Sequence, residues 1–129
     1  MKDTAHVIEG KTPGPHTVIL GSMHGNERVG AEVVEYLADT LSRSEALIYG
    51  RITLILGNPQ AYAENKRFTE TDLNRQFGSG LAALRKNGSK NYEEKRALEL
   101  LPFLEKADFL LDIHSTIKPS VPFVFTLAD

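Results

Sequence analysis

The stretch Gly21-Ser22-Met23-His24-Gly25-Asn26-Glu27-Arg28-Val29-Gly30 constrains the fold most, because it joins two runs with different hydrophobic periods. Before it, Thr17-Val18-Ile19-Leu20 is almost continuously apolar, as in a buried strand. After it, Ala31-Glu32-Val33-Val34-Glu35-Tyr36-Leu37 has the apolar spacing of an amphipathic helix. A strand over about 17–22 thus passes through a turn into a helix over about 27–42. His24 and Glu27 fall where the strand ends and the helix begins, which is where open α/β sheets bind ligands. An imidazole and a carboxylate three residues apart can converge on one metal ion. Equally, His24 could be a turn residue and Glu27 a complement to the positive end of the helix dipole. A metal site needs a third ligand from elsewhere in the chain.

The rest of the chain supplies further strands and helices. Residues 1–15 are polar and contain Thr12-Pro13-Gly14-Pro15, which reads as an extended lead-in or turn, with His6 and His16 at the surface. Leu41-Ser42-Arg43-Ser44 reads as a polar loop closing the first helix. Arg51-Ile52-Thr53-Leu54-Ile55-Leu56 is β-branched and apolar on both faces, as expected of a central strand, and Gly57-Asn58-Pro59 stops it. Residues 58–90 are polar with no sustained period, which marks a functional loop carrying Arg67, Asp72, Asn74 and Arg75. Asn91 to Lys106 returns to helical spacing, with Ala97, Leu100, Leu101 and Leu104 on one face. Glu93, Glu94, Lys95 and Arg96 are expected outside, and Pro102 is expected to kink or end this helix. Phe109-Leu110-Leu111-Asp112-Ile113-His114 reads as another buried strand, and Val121–Leu127 as a last one.

Composition narrows the chemistry. With no cysteine among 129 residues, any zinc must be held by His, Asp and Glu, which favours a catalytic over a structural site. The length suits one domain, and a net charge of −2 gives no reason to expect nucleic acid or an anionic membrane as partner. No apolar run approaches the ~20 residues that span a bilayer, and the N-terminus lacks a secretory h-region, so a cytoplasmic location is expected.

His114 offers the missing ligand. It ends a strand, as His24 nearly does, and parallel strands joined by helical crossovers bring their C-terminal ends to one side of a sheet. His24, Glu27 and His114 can meet there as a His₂Glu site; a buried, satisfied histidine is the other reading of His114. Asp112, two residues earlier, projects from the same face of the strand. In the polar loop, one guanidinium can grip a carboxylate bidentately and a second can polarise a carbonyl. Solvated loop charges are the plainer reading of any single arginine there.

Taken together, several motifs resemble the succinylglutamate desuccinylase/aspartoacylase family of the zinc carboxypeptidase-like group. They are Gly21-Ser22-Met23-His24-Gly25-Asn26-Glu27, Asn58-Pro59, Arg67-Phe68, Asp72-Leu73-Asn74-Arg75-Gln76-Phe77 and Leu111-Asp112-Ile113-His114-Ser115. The resemblance runs from about Thr17 to Phe125. It implies zinc on His24, Glu27 and His114, with Asn74 and Arg75 anchoring the carboxylate of an N-acyl amino acid. It further implies that Arg67 polarises the scissile carbonyl and that Asp72 orients a zinc-bound histidine. The implied reaction is hydrolysis of the amide bond, with a metal-activated water attacking the amide carbonyl.

The family's general base is a glutamate beyond the third metal ligand, and this sequence stops at Asp129 before such a residue. The expectation is therefore a single domain over residues 1–129, the truncated N-terminal portion of such a hydrolase, with little turnover alone. Glu64 and Glu70 have no physical claim to be a substitute base. Missing neighbouring strands would leave an exposed sheet edge, through which self-association is expected. Competing readings are a zinc carboxypeptidase cleaving peptides and a non-catalytic metal- or carboxylate-binding domain. A phosphate-binding loop is disfavoured because neither glycine-rich phosphate motif is present. The expected fold is a three-layer α/β/α sandwich with a mostly parallel mixed sheet. Its strands are Thr17–Gly21, Arg51–Leu56, Phe109–Ile113 and Phe123–Thr126, and its helices Glu27–Leu41 and Asn91–Lys106.

Overall fold

The computed structural model describes residues 4–43, 49–116 and 118–126. The long strand β2 (Thr12–Gly21) leads through the turn into helix α1 (Arg28–Arg43), following strand β1 (Ala5–Glu9). Strand β3 (Tyr49–Leu56) comes next, then the short helices α2 (Pro59–Ala63) and α3 (Leu81–Asn87) with a 3₁₀ turn at Leu73–Phe77 between them. Helix α4 (Tyr92–Leu104) and strand β4 (Phe109–Ile113) complete the elements. The strands form one mixed open sheet in the order β1-β3-β2-β4, with β2 parallel to both neighbours and β1 antiparallel to β3.

Alternation along β2 divides the core into two layers. Val18 and Leu20, with Ile55, face Leu73, Leu84, Ala97 and Leu100. Ile19, with Leu54 and Ile52, faces Val34, Leu37 and Ala38 of α1. Helices therefore cover both faces, as expected of a three-layer sandwich. The sequence reading placed α1 one residue early, since Glu27 lies in the turn, and closed it early at Leu41; Ser44 lies outside the described residues.

Four expectations need correction. Residues 1–15 are not a mere lead-in, because β1 and the first part of β2 lie there. β1 is short, and its pairing with β3 makes it a strand. Pro13 and Pro15 are tolerated because the β2–β3 register shifts between Thr12 and His16, where no continuous ladder needs their missing donors. His6 and His16 are half-buried, and His16 bonds Thr53 and the Lys106 carbonyl.

Next, residues 58–90 are not structureless. Two helices and a 3₁₀ turn are too short to show a period, but each of the first two elements has a local signal. Asn58 caps α2, which has Pro59 in its first turn, and Asp72 caps the 3₁₀ turn through Asn74 N–H. Third, Glu93 and Arg96 of α4 are buried rather than outside, at 0% and 7% exposure. Arg96 donates to the Leu56 and Gly57 carbonyls at the end of β3. Pro102 sits inside α4 and does not end it.

Finally, Phe123–Thr126 is not a strand. Val121, Phe123, Val124 and Phe125 are exposed, and Leu127 lies outside the described residues. An apolar run becomes a strand only where a neighbour takes its backbone hydrogen bonds. β4 has its expected bounds but is not the buried strand anticipated, since Phe109, Leu110 and Leu111 are exposed. Among the described residues it is the last strand of the sheet, with β2 as its one partner.

Candidate metal centre

The turn after β2 is shaped by close packing of backbone on backbone. A Cβ on Gly21 would lie 2.1 Å from the Gly30 carbonyl oxygen, and one on Gly30 would lie 2.8 Å from that of Ile113. Glycine at both positions lets the first turn of α1 rest directly on the ends of β2 and β4. That contact carries Glu27 to the end of β4. Ser22 adopts a left-handed φ of 54°, held by its hydroxyl donating to the Glu27 carbonyl and by Asn58 N–H donating to its own carbonyl. Strained backbone of this kind persists where the surroundings over-determine it.

Glu27 stands between two histidines. Its Oε1 is 2.8 Å from His24 Nδ1, and its Oε2 is 3.0 Å from His114 Nδ1 and accepts from Ser115 N–H at 2.9 Å. The ligand-capable atoms of His24, Glu27 and His114 all lie within 4.8 Å of one another. The outer nitrogens are also engaged: His24 Nε2 faces Asp72 Oδ1 at 3.3 Å, and His114 Nε2 faces Asp112 Oδ2 at 2.8 Å. Arg67 closes the group, donating from Nε and Nη2 to Asp72 Oδ2 at 3.3 and 3.2 Å, with Nη1 4.0 Å from Glu27 Oε1.

This pattern demands positive charge. A neutral imidazole donates from one nitrogen only. Each histidine here has a carboxylate oxygen at both nitrogens, so a neutral ring would turn a lone pair toward an anion. If Asp72 and Asp112 hold the Nε2 protons, the Nδ1 lone pairs converge beside Glu27, and a cation between them resolves the conflict. Three carboxylates against one guanidinium also leave a deficit that a divalent ion would fill. His₂Glu is a zinc donor set, so these residues fit that metal.

The ionisation equilibria reflect the same crowding. Burial would raise the pKa of Glu27, but the Ser115 N–H and the two histidines outweigh it and hold the carboxyl below its usual range. Burial likewise opposes ionisation of Asp72, and His24 and Arg67 more than compensate. His114 is pushed up, chiefly by its hydrogen bond to Asp112.

Asn74 and Arg75 are not drawn into this cluster. Both are exposed, and among the described residues their side chains have no hydrogen-bond partner. Arg75 lines a separate shallow hollow of about 200 Å³ with Gln76, Leu84 and Lys90. A larger hollow of about 510 Å³, beside Lys11, His16 and Arg51, lies at the opposite end of the sheet and has no such donor set. The ligand chemistry, not the size of a hollow, locates the centre. Sequence reasoning gave Asp112 no role, although its i, i+2 spacing from His114 on a strand end was a usable signal.

The catalytic-domain pattern of the succinylglutamate desuccinylase/aspartoacylase family matches residues 13–128. A "Probable aspartoacylase" of Acaryochloris marina is 40% identical over 106 residues, covering 77% of this chain and 34% of that protein. An N-acyl-aromatic-L-amino acid amidohydrolase (carboxylate-forming) of Danio rerio is 30% identical, covering 76% of this chain and 32% of its own length. The crystal structure of murine aminoacylase 3 superposes with a TM-score of 0.66 at 29% identity, covering 79% of this chain and 35% of that one. The chain thus spans about a third of the length of these relatives. A match over nearly the whole chain, and a shared fold with helices on both faces of a mixed sheet, lead to one assignment: this chain belongs to the succinylglutamate desuccinylase/aspartoacylase family.

Proposed function

We propose that the chain contributes the metal-binding part of a zinc-dependent hydrolase that cleaves the amide bond of an N-acyl amino acid. The observation that carries this is the convergence of His24, Glu27 and His114, with a carboxylate on the outer nitrogen of each histidine. Relatives named for N-acyl amino acid hydrolysis support the substrate class. Bound zinc would supply Lewis acidity and an activated water at neutral pH. Asp72 and Asp112 keep the Nε2 protons in place, so that both Nδ1 lone pairs point inward. Arg67, beside Glu27 and Asp72, polarises the scissile carbonyl where negative charge develops. Asn74 and Arg75, exposed and without a side-chain hydrogen-bond partner among the described residues, would take the substrate carboxylate, the guanidinium doing so bidentately. Each carboxylate at the cluster is already engaged by a histidine or by Arg67. We therefore expect this chain alone to bind metal and turn over slowly, since general-base assistance is worth about 10²–10⁴-fold.

Bound metal per chain, measured by elemental analysis after zinc loading and dialysis, tests the reading. About one zinc in the parent protein, lost in both His24→Ala and His114→Ala, is the expected result. Folded parent protein that retains no zinc would overturn it.

A further inference from the structure

The buried carboxylate of Glu93 lies outside the metal cluster and has no part in the reading above. It is 0% exposed, in the first turn of α4, and has no cationic partner among the described residues. Five donors surround it instead. Oε1 accepts from Thr69 N–H at 2.6 Å, Thr69 Oγ1 at 2.7 Å and Asn58 Nδ2 at 3.2 Å. Oε2 accepts from the N–H groups of Glu70 and Thr71, each at 3.1 Å. Every neighbour donates, so the site suits an ionised carboxylate, which only accepts. Burial opposes that ionisation, and the Thr69, Thr71 and Asn58 donors overcome it, lowering the pKa to about 2.

These donors connect directly to the centre. Thr69 to Thr71 lead into Asp72, which faces His24 Nε2 and holds Arg67. Asn58, which reaches Glu93 through its side chain, also donates its N–H to the Ser22 carbonyl in the histidine-bearing turn. Two further bonds stitch the loop to the start of α4, from Thr71 Oγ1 to Asn91 and from Tyr92 N–H to Glu70. Arg67 is fixed at its own backbone too, where its carbonyl accepts from Gly25 N–H.

We propose that Glu93 is a positioning residue: it gathers the 69–71 backbone so that Asp72 and Arg67 are presented to His24 and Glu27. Apolar burial cannot do this, because the loop's one fully buried apolar residue in the 3₁₀ turn, Leu73, follows Asp72 and leaves 69–71 to polar contacts. The proposal rests on the metal reading only for its affinity readout, and two of its three readouts need no metal.

The test compares Glu93→Gln, Asp72→Asn and the double variant with the parent, in metal-free protein and under zinc titration against a competing chelator. A glutamine amide matches the shape but sets its NH₂ against donors. Expected in Glu93→Gln is at least ~10-fold faster amide exchange at Thr69, Glu70 and Thr71. The ¹⁵N ring signals of His24 should shift as they do in Asp72→Asn, with His16 unchanged as internal reference. Zinc affinity should fall about 10–100-fold, as when a carboxylate behind a ligand histidine is lost. The double variant should lose no more than Asp72→Asn alone, because both act through one group. Two results would overturn the proposal: unchanged exchange at 69–71, or a loosened loop with a lower Tm but parental His24 signals and zinc affinity. If Glu93→Gln does not fold, Thr69→Val removes one of the five donors and should show the same pattern at smaller size. A parent that folds but takes no zinc would sink the metal reading, and the exchange and ring signals would still decide the role of Glu93.

Discussion

Two of the segments that build the centre are held by different forces. The turn carrying His24 and Glu27 continues β2, and its walls are backbone against backbone at Gly21, Gly30 and Ile113, next to buried Met23 and Ala31. The segment carrying Arg67 and Asp72 has no such packing and is tied down by hydrogen bonds to Glu93, Asn91 and Gly25. Close packing is insensitive to pH but intolerant of added volume, whereas a hydrogen-bonded loop tolerates volume and responds to charge. The candidate ligands His24 and Glu27 are thus set by the more rigid device, and Asp72 and Arg67, which face them, by the more adjustable one.

The contrast can be broken most severely at Gly21. Gly21→Ala places a methyl group 2.1 Å from the Gly30 carbonyl oxygen, so α1 must move off β2. Urea unfolding should show a loss of about 3 kcal/mol or more, accompanied by loss of the zinc binding proposed for the parent. A fully stable variant would mean that the turn is softer than its packing implies.

Acid should expose the polar device. A carboxyl whose pKa falls on folding from 4.5 to about 2 contributes stability that is complete above pH 4.5 and vanishes as the pH drops toward 2. For Glu93 this amounts to roughly 3 kcal/mol, taking 1.36 kcal/mol per pKa unit. Stability curves of the parent and of Glu93→Gln should therefore differ near neutrality and converge at low pH. Parallel curves would show that the carboxylate is not the group being titrated.

The smallest effect concerns β4, which relies on neither device along its outer edge. Leu110 and Leu111 are exposed at 53% and 47%, and exposed apolar edge strands pair with other chains. Concentration-dependent self-association is expected by light scattering, and Leu110→Lys should reduce it while changing stability by no more than about 0.5 kcal/mol. A clean monomer at all concentrations would remove the edge from consideration.

The sequence read best where one force dominated over a short span. Val18, Ile19 and Leu20 announce a strand covered on both faces, and the spacing of α1 follows the contact of its Val34 and Ala38 with Leu54 of β3. His24 and His114 stood out because each falls at or just past the end of an apolar run, and strand ends share one side of a parallel sheet. β1 did not stand out, since its five residues become a strand only by pairing with β3. Phe123–Thr126 misled for the converse reason, being strand-like in composition but without a pairing neighbour among the described residues.

The amino-acid sequence by itself determined the alternation of strands and helices and the identity of the three candidate ligands, because apolar period and residue type are local properties. Only the tertiary structure decided that Asp112 backs His114, that Glu93 and Arg96 turn inward, and that Arg67 reaches both Asp72 and Glu27. Those outcomes depend on which donors and acceptors meet in space, at sequence separations from 2 to 40. A buried charge reads as a surface charge until its partners are in place.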